Sequence, residues 1–241
     1  MTPPAYNLQA IEFDQSPNTH AGVEFLTTDY RPANSRPNSQ DITRKGILAG
    51  AVLATLAKAA GVEFAATDST SSPLTSLIRH IVLAHHAFIR SELPRLYSMA
   101  ELSIATCAGL HPELFPVSRK LRRLAGDLTF NMNKEETILF RQIESLERIH
   151  AASTSVSQAA LAGIEDPIED ILREHAAAAA LLGQIRAETR SFFLPDDACT
   201  TLTGLYKGFE AFEHNLYRHL HLENNLLFPG AIALEKELLA A

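Results

Sequence analysis

Thiols are scarce in this chain. Its 241 residues include two cysteines, Cys107 and Cys199, and neither has a Cys-x-x-Cys neighbour. A disulfide framework is therefore not expected, and a reducing compartment, the cytoplasm, is the default location. Grouped positive charge is missing too. The formal net charge is −7 and there is no long basic run. That argues against nucleic acid as the main partner, because phosphate binding needs clustered Lys and Arg. The N-terminus, MTPPAYNLQAIEFDQ, has no basic region leading into an apolar stretch and does not read as a signal peptide. Long apolar runs are also lacking. The nearest, TRKGILAGAVLATLAKAAG from Thr43 to Gly61, starts basic and is interrupted by Lys58. It is too short to span a bilayer, so a packed helix is expected there and no membrane partner.

What is present points to helices. Hydrophobic residues make up 46% of the chain, enough for one sizeable core. Residues 1–41 are rich in Pro, Asn, Ser and Thr, as in DYRPANSRPNSQ, and are expected to be disordered. Residues 42–72 read as a short helix and a linker, ATDSTSSP, that runs into Pro73. Beyond it almost nothing favours strands. Four stretches with apolar residues at helical spacing follow, near 73–107, 116–148, 165–193 and 197–226. GLHPELFP, HAASTSVSQAALAG and FFLPDD separate them, the last a helix stop with Asp at the next N-cap. Helices of roughly 30 residues are about 45 Å long, the regime of a four-helix bundle. The expectation is an all-α domain over residues 73–230, with a tail at 231–241.

Helical geometry sorts the polar residues. In the last helix the core stripe runs through Leu205, Phe209, Phe212, Leu216, Leu226 and Leu227. His219 and Glu223 lie in its middle, four residues apart and one above the other. His221 falls about 200° from His219, on a solvated face with His214, Tyr217, Asn224 and Asn225. The second helix has a stripe of Leu121, Leu124, Leu128, Ile138, Leu139 and Leu146, with Glu135 inside it and Asn131 one turn earlier. The third buries Ile164, Ile168, Ile171, Leu172, Leu182 and Ile185, with His175 among them. The first runs Ile78, Val82, Ile89, Leu93 and Leu96, with His86 within the stripe and His85 at its margin.

A single histidine on an apolar face is usually a hydrogen-bonded core residue. Here every helix turns a histidine or a carboxylate inward at mid-length, and no Lys or Arg shares the stripes of Glu135 and Glu223. A buried carboxylate is costly unless it is paired or bound to metal. A shared metal centre accounts for all of these residues at once, and imidazole with carboxylate, without thiolate, suits a pair of non-haem irons in a bundle.

With these residues placed, the chain resembles the hemerythrin-like di-iron proteins, specifically the repair-of-iron-centres family of bacteria. The resemblance covers about residues 73–230 and rests on HHAFIRSELPRL, NKEETILF, REH and ACTTLTGLYKGFE…HLHLENNLLFP. It implies an up-down bundle holding two iron ions as an oxo-bridged centre. His86, His175 and His219 would be terminal ligands, with Glu135 and Glu223 bridging, and it selects His86 over His85. It also implies nitric oxide or dioxygen as ligand, damaged iron–sulfur proteins as partners, and a role in nitrosative or oxidative stress. Two departures stand out. The family presents His-x-x-x-Glu on the second helix, where this chain has Asn131-Met-Asn-Lys-Glu135, so an amide oxygen or a water takes an imidazole's place. The family's N-terminal domain with adjacent cysteines is not recognisable, residues 42–64 reading as a relic of its helices. That shifts weight from thiol-dependent repair toward gas binding.

Two other functions compete. A di-iron oxidase or peroxidase-like enzyme would use open iron positions to activate oxygen, although each helix supplies few carboxylates for that chemistry. A bundle whose metal site has decayed would serve only as an interaction module, with Asn131 as its main evidence. Cys199, in the first turn of the last helix, reads as an ordinary small helix residue, and His111 as surface turn chemistry. The alanine run 176–180 beside His175 allows close helix approach or simply favours helix.

Overall fold

The computed structural model describes residues 73–153 and 163–240. The segments before Pro73, including the expected disordered region and the helix at 43–61, lie outside the described residues. Among the described residues, seven α-helices build four rods: α1 (Leu74–His80) and α2 (Ala87–Cys107); α3 (Leu114–Lys134) and α4 (Phe140–Ala151); α5 (Glu165–Glu188); α6 (Thr200–Leu222) and α7 (Phe228–Ala240). Within three of the rods the α-helices are joined by single π-helical turns, Ile81–His86, Glu135–Leu139 and Glu223–Leu227. No strand occurs among the described residues.

The first rod packs against the last, α2 on α6, and also against the second, α2 on α3. The second packs on the third through α3 and α5. The start of the first rod lies against the end of the second, α1 on α4, so these neighbours run antiparallel. The amide N–H groups of Leu74 and Thr75, unpaired by nature at a helix start, donate to Glu147 of α4 at 2.7 and 3.0 Å. Residues 231–240, expected as a tail, continue the last rod as α7. It packs against α4, and its buried Glu235 accepts from the Ile164 amide at the head of α5.

Three other expectations are corrected at the far end of the bundle. The N-cap of α6 is Cys199 rather than an aspartate, and its side chain forms no capping bond. Cys199 is instead disulfide-bonded to Cys107 at the end of α2, with a Cα–Cα separation of 6.6 Å. The helices bring together two thiols 92 residues apart, a proximity that residue spacing alone does not reveal. His111 is buried rather than exposed, with Nδ1 3.3 Å from Glu113 and Nε2 3.6 Å from Asp197.

The apolar core falls into two clusters. One gathers Ile89, Leu96, Leu121, Leu128, Leu182, Phe209 and Leu216, and the other Ile81, Leu139, Phe140, Ile168, Ile171, Leu227 and Phe228. Every rod passes from one cluster to the other, and a histidine or glutamate marks the crossing. His86 lies between Ile81 and Ile89, Glu135 between Met132 and Leu139, His175 between Leu172 and Ala178, and Glu223 between Leu216 and Leu227. A polar layer thus divides the bundle.

Candidate metal centre

The π-turns position this layer. A π-turn closes hydrogen bonds from i to i+5 and so adds one residue to the turn, delaying the helical phase by about 100°. His86 ends the first π-turn, while Glu135 and Glu223 begin the other two. Such turns recur at functional sites because they offer side chains at angles that a regular helix cannot. The phase delay also explains two misplaced residues. Ile138, assigned to the core stripe by regular spacing, is 52% exposed. Asn224, assigned to the outer face, is buried. Tyr217 is buried for another reason: α6 packs on both α2 and α5, so its inward arc is wider than one stripe. His221 is half-buried and hydrogen-bonded to the Asn225 amide.

The structure brings five of the sequence-selected residues together. His86, Glu135, His219 and Glu223 are fully buried, and each offers one ligand-type atom within 4.8 Å of the others. His86 Nε2 lies 3.1 Å from His219 Nε2, 3.4 Å from Glu135 Oε2 and 3.6 Å from Glu223 Oε1. His219 Nε2 is 3.0 Å from Glu223 Oε2. His175 stands outside that quartet but faces both carboxylates, with Nε2 at 3.0 Å from Glu135 Oε1 and 3.3 Å from Glu223 Oε2. Asn131, the sixth candidate, is buried one turn before Glu135, and its amide nitrogen donates to Glu174 at 2.9 Å.

The outer atoms of two rings are fixed. His86 Nδ1 donates to Glu136 at 2.6 Å, and Arg90 donates to the same oxygen at 2.8 Å. His175 Nδ1 donates to Asn224 at 2.7 Å. Each bond places a proton on Nδ1 and turns Nε2 inward, the arrangement that orients metal-ligating histidines. Glu136 and Asn224 are the residues that reasoning from sequence missed. Both are the second residue of a π-turn and follow directly after an inward glutamate, so regular periodicity sends them outward. His85, left at the margin of the first stripe, is buried, hydrogen-bonded to Asn215 and stacked on His219. Burial, with His219 adding, holds it down to about 4, so it is neutral.

The electrostatics test whether the site suits a cation. Burial pushes the Glu223 carboxyl up, but the neighbouring His219, His86 and His175 more than offset it and hold the group well below the usual carboxylate range. Burial opposes charge on His175, yet the hydrogen bond to Glu135 and the charges of Glu223 and Glu135 raise it to about 8. His86 is raised by the same carboxylates and by Glu136, against its burial. The two carboxylates thus draw protons onto His86 and His175, because among the described residues no Lys or Arg pairs with either. Even so, Glu135 Oε2, both oxygens of Glu223, His219 Nδ1 and Asn131 Oδ1 are buried without a hydrogen-bond partner among the described residues. Unpaired buried acceptors each cost about 1–3 kcal/mol. A metal cation bound to inward Nε2 and carboxylate atoms would satisfy most of them, so the donor set fits non-haem iron.

Comparison with known proteins agrees. Residues 77–231 match the hemerythrin HHE cation-binding domain. The iron–sulfur cluster repair protein YtfE of Cronobacter sakazakii is 34% identical over 169 residues, 70% of this chain and 71% of that protein. YtfE of Yersinia pestis is 34% identical over 166 residues, 68% and 69% of the two chains. YtfE of Escherichia coli O157:H7 is 33% identical over 168 residues, 70% of each.

Proposed function

This chain belongs to the hemerythrin HHE cation-binding family, and we propose that it is a non-haem di-iron protein of the nitrosative and oxidative stress response. Its role is to bind nitric oxide or dioxygen at the iron pair, to supply iron for repair of damaged iron–sulfur clusters, or both. The observation that carries this reading is the pair of buried carboxylates that no Lys or Arg joins among the described residues, facing three imidazoles. His86, His175 and His219 would serve as terminal ligands, with Glu135 and Glu223 bridging. Iron bound there would supply coordination positions for a small diatomic ligand and a reserve of releasable metal. The rest is done by this chain's own groups. Glu136 and Asn224 hold two rings in register, and the apolar clusters on either side keep bulk water from the layer. Similarity to proteins named for iron–sulfur cluster repair supports the repair half of the reading. No described helix is long and apolar enough to cross a membrane.

The test is direct. Iron analysis of the reconstituted chain should find close to two irons, and nitric oxide titration of the reduced protein should change its optical spectrum. His219→Ala should lose iron and His221→Ala should keep it, since only the His219 ring meets Glu223. Equal iron content in the two variants would exclude this ligand set.

A further inference from the structure

We infer that Asn131 makes the two metal positions unequal, so that one ion is retained while the other, held in part by a neutral amide oxygen, is exchanged. This rests on the iron-binding role proposed above. Asn131 is 2% exposed, and the Glu135 amide donates to its backbone carbonyl, one turn away. Its side-chain nitrogen donates to Glu174 Oε2 at 2.9 Å, while Lys134 holds the other oxygen of Glu174 at 2.6 Å.

This contact settles which way the amide points. A carboxylate only accepts hydrogen bonds, so the nitrogen must face Glu174 and the oxygen must face away. Turning the amide over would set two oxygens against each other. The atom left over, Oδ1, is buried and accepts no hydrogen bond from the described residues. It is therefore a fixed and unsatisfied acceptor of the kind that meets a cation.

Its place in the fold identifies the cation. Glu174 precedes His175 on α5, and Asn131 precedes Glu135 by one turn on the second rod. The Asn131–Glu174 bond therefore ties together the same two rods that the Glu135–His175 contact joins. The donors then divide unevenly. His86, Glu135, His219 and Glu223 converge as a compact quartet with two imidazoles and two carboxylates. His175 lies apart from that quartet and faces the two carboxylates, and the Asn131–Glu174 bond sets Asn131 on the pair of rods that carries His175 and Glu135. A neutral amide oxygen is a weaker donor to ferrous iron than an imidazole, so the position beside His175 is the looser one. The ligand of this exchangeable position is a single divalent iron, passed to a competing chelator or acceptor without loss of the other.

The experiment follows release of iron from the anaerobically reconstituted full chain into a ferrous chelator. The parent should release iron in two phases of equal amplitude. Asn131→His should slow the fast phase by about tenfold, the lower end of what changes around a metal produce. Asn131→Leu should lower bound iron from close to two per chain to close to one and leave the slow phase unaltered, with helix content checked by circular dichroism. A single release phase in the parent, or two irons kept by Asn131→Leu, overturns the inference while leaving the iron-binding role intact. A parent chain that binds no iron overturns both.

Discussion

Two buried glutamates on the last rod, ten residues apart, are neutralised in opposite ways. Glu213 on α6 receives a charge from within the chain: Arg186 of α5 donates to it at 2.5 Å, with its guanidinium laid over the Phe192 ring. Burial still raises the Glu213 carboxyl, against the pull of Arg186 and with Glu210 adding to the rise. Glu223 has no such partner. Among the described residues it faces imidazoles alone; these hold it low, and His86 and His175 are raised in turn. The first arrangement is complete as a protein structure. The second is balanced only when protons or a metal occupy the rings. The difference separates a structural ion pair from a binding site, although both side chains are buried.

Breaking the second arrangement should have the largest effect. Glu223→Gln should reduce iron binding at least about tenfold, because a bridging anion is replaced by a neutral amide. Its metal-free form should also be less stable than the parent at neutral pH, because a carboxylate held low by His219, His86 and His175 contributes stability there. Thermal melts with and without iron would check both halves, the parent gaining stability from iron and the variant gaining none.

Breaking the first arrangement should spare the metal site. Arg186→Met leaves the Glu213 charge buried and unpaired, which should cost about 3 kcal/mol while iron content stays unchanged. Exchanging both residues for apolar ones should recover most of the loss. Denaturant unfolding of the single and double variants, alongside metal analysis, measures the two effects separately.

Glu147 sharpens the comparison as a half-exposed carboxylate whose partner is a helix end. Burial opposes its charge, but the Thr75 hydroxyl and the Thr75 and Leu74 amides hold it below the ordinary value of 4.5. A depressed carboxyl contributes stability above its unfolded value and loses it as pH falls through the folded value. Glu147→Gln should therefore cost about 1 kcal/mol at neutral pH, discounted for solvent exposure. Parent and variant should converge in stability as pH falls through the depressed folded value of Glu147. A difference that persists at low pH would mean that Glu147 acts through packing alone.

The legible part of this molecule is what regular periodicity reaches. Four rods, and the inward setting of Glu135, His175, His219 and Glu223, follow from counting along helices that stay in phase up to those positions, and that of His86 from the regular spacing of Ile89, Leu93 and Leu96 after it. Immediately after Glu135 and Glu223 the counting fails, because a π-turn begins at each. Ile138 and Asn224 are misassigned for that reason, and Glu136 and Asn224 are missed as ring-holding partners. Nothing in residue order announces a π-turn, since it is stabilised by what its side chains meet across the bundle. Long-range pairings are illegible for a simpler reason. Arg186 with Glu213, and His111 with Asp197, meet only once the rods have assembled.

The Cys107–Cys199 bond makes part of the chain a covalent ring, with α3, α4 and α5 inside it and α1, α2, α6 and α7 on the two arms that leave it. Glu135 and His175 belong to the ring, while His86, His219 and Glu223 belong to the arms. A backbone break anywhere from residue 108 to residue 198 therefore does not divide the protein into separable pieces. The fragments stay tethered until the sulfurs are reduced, and the residues facing one another across the polar layer cannot be lost to dilution.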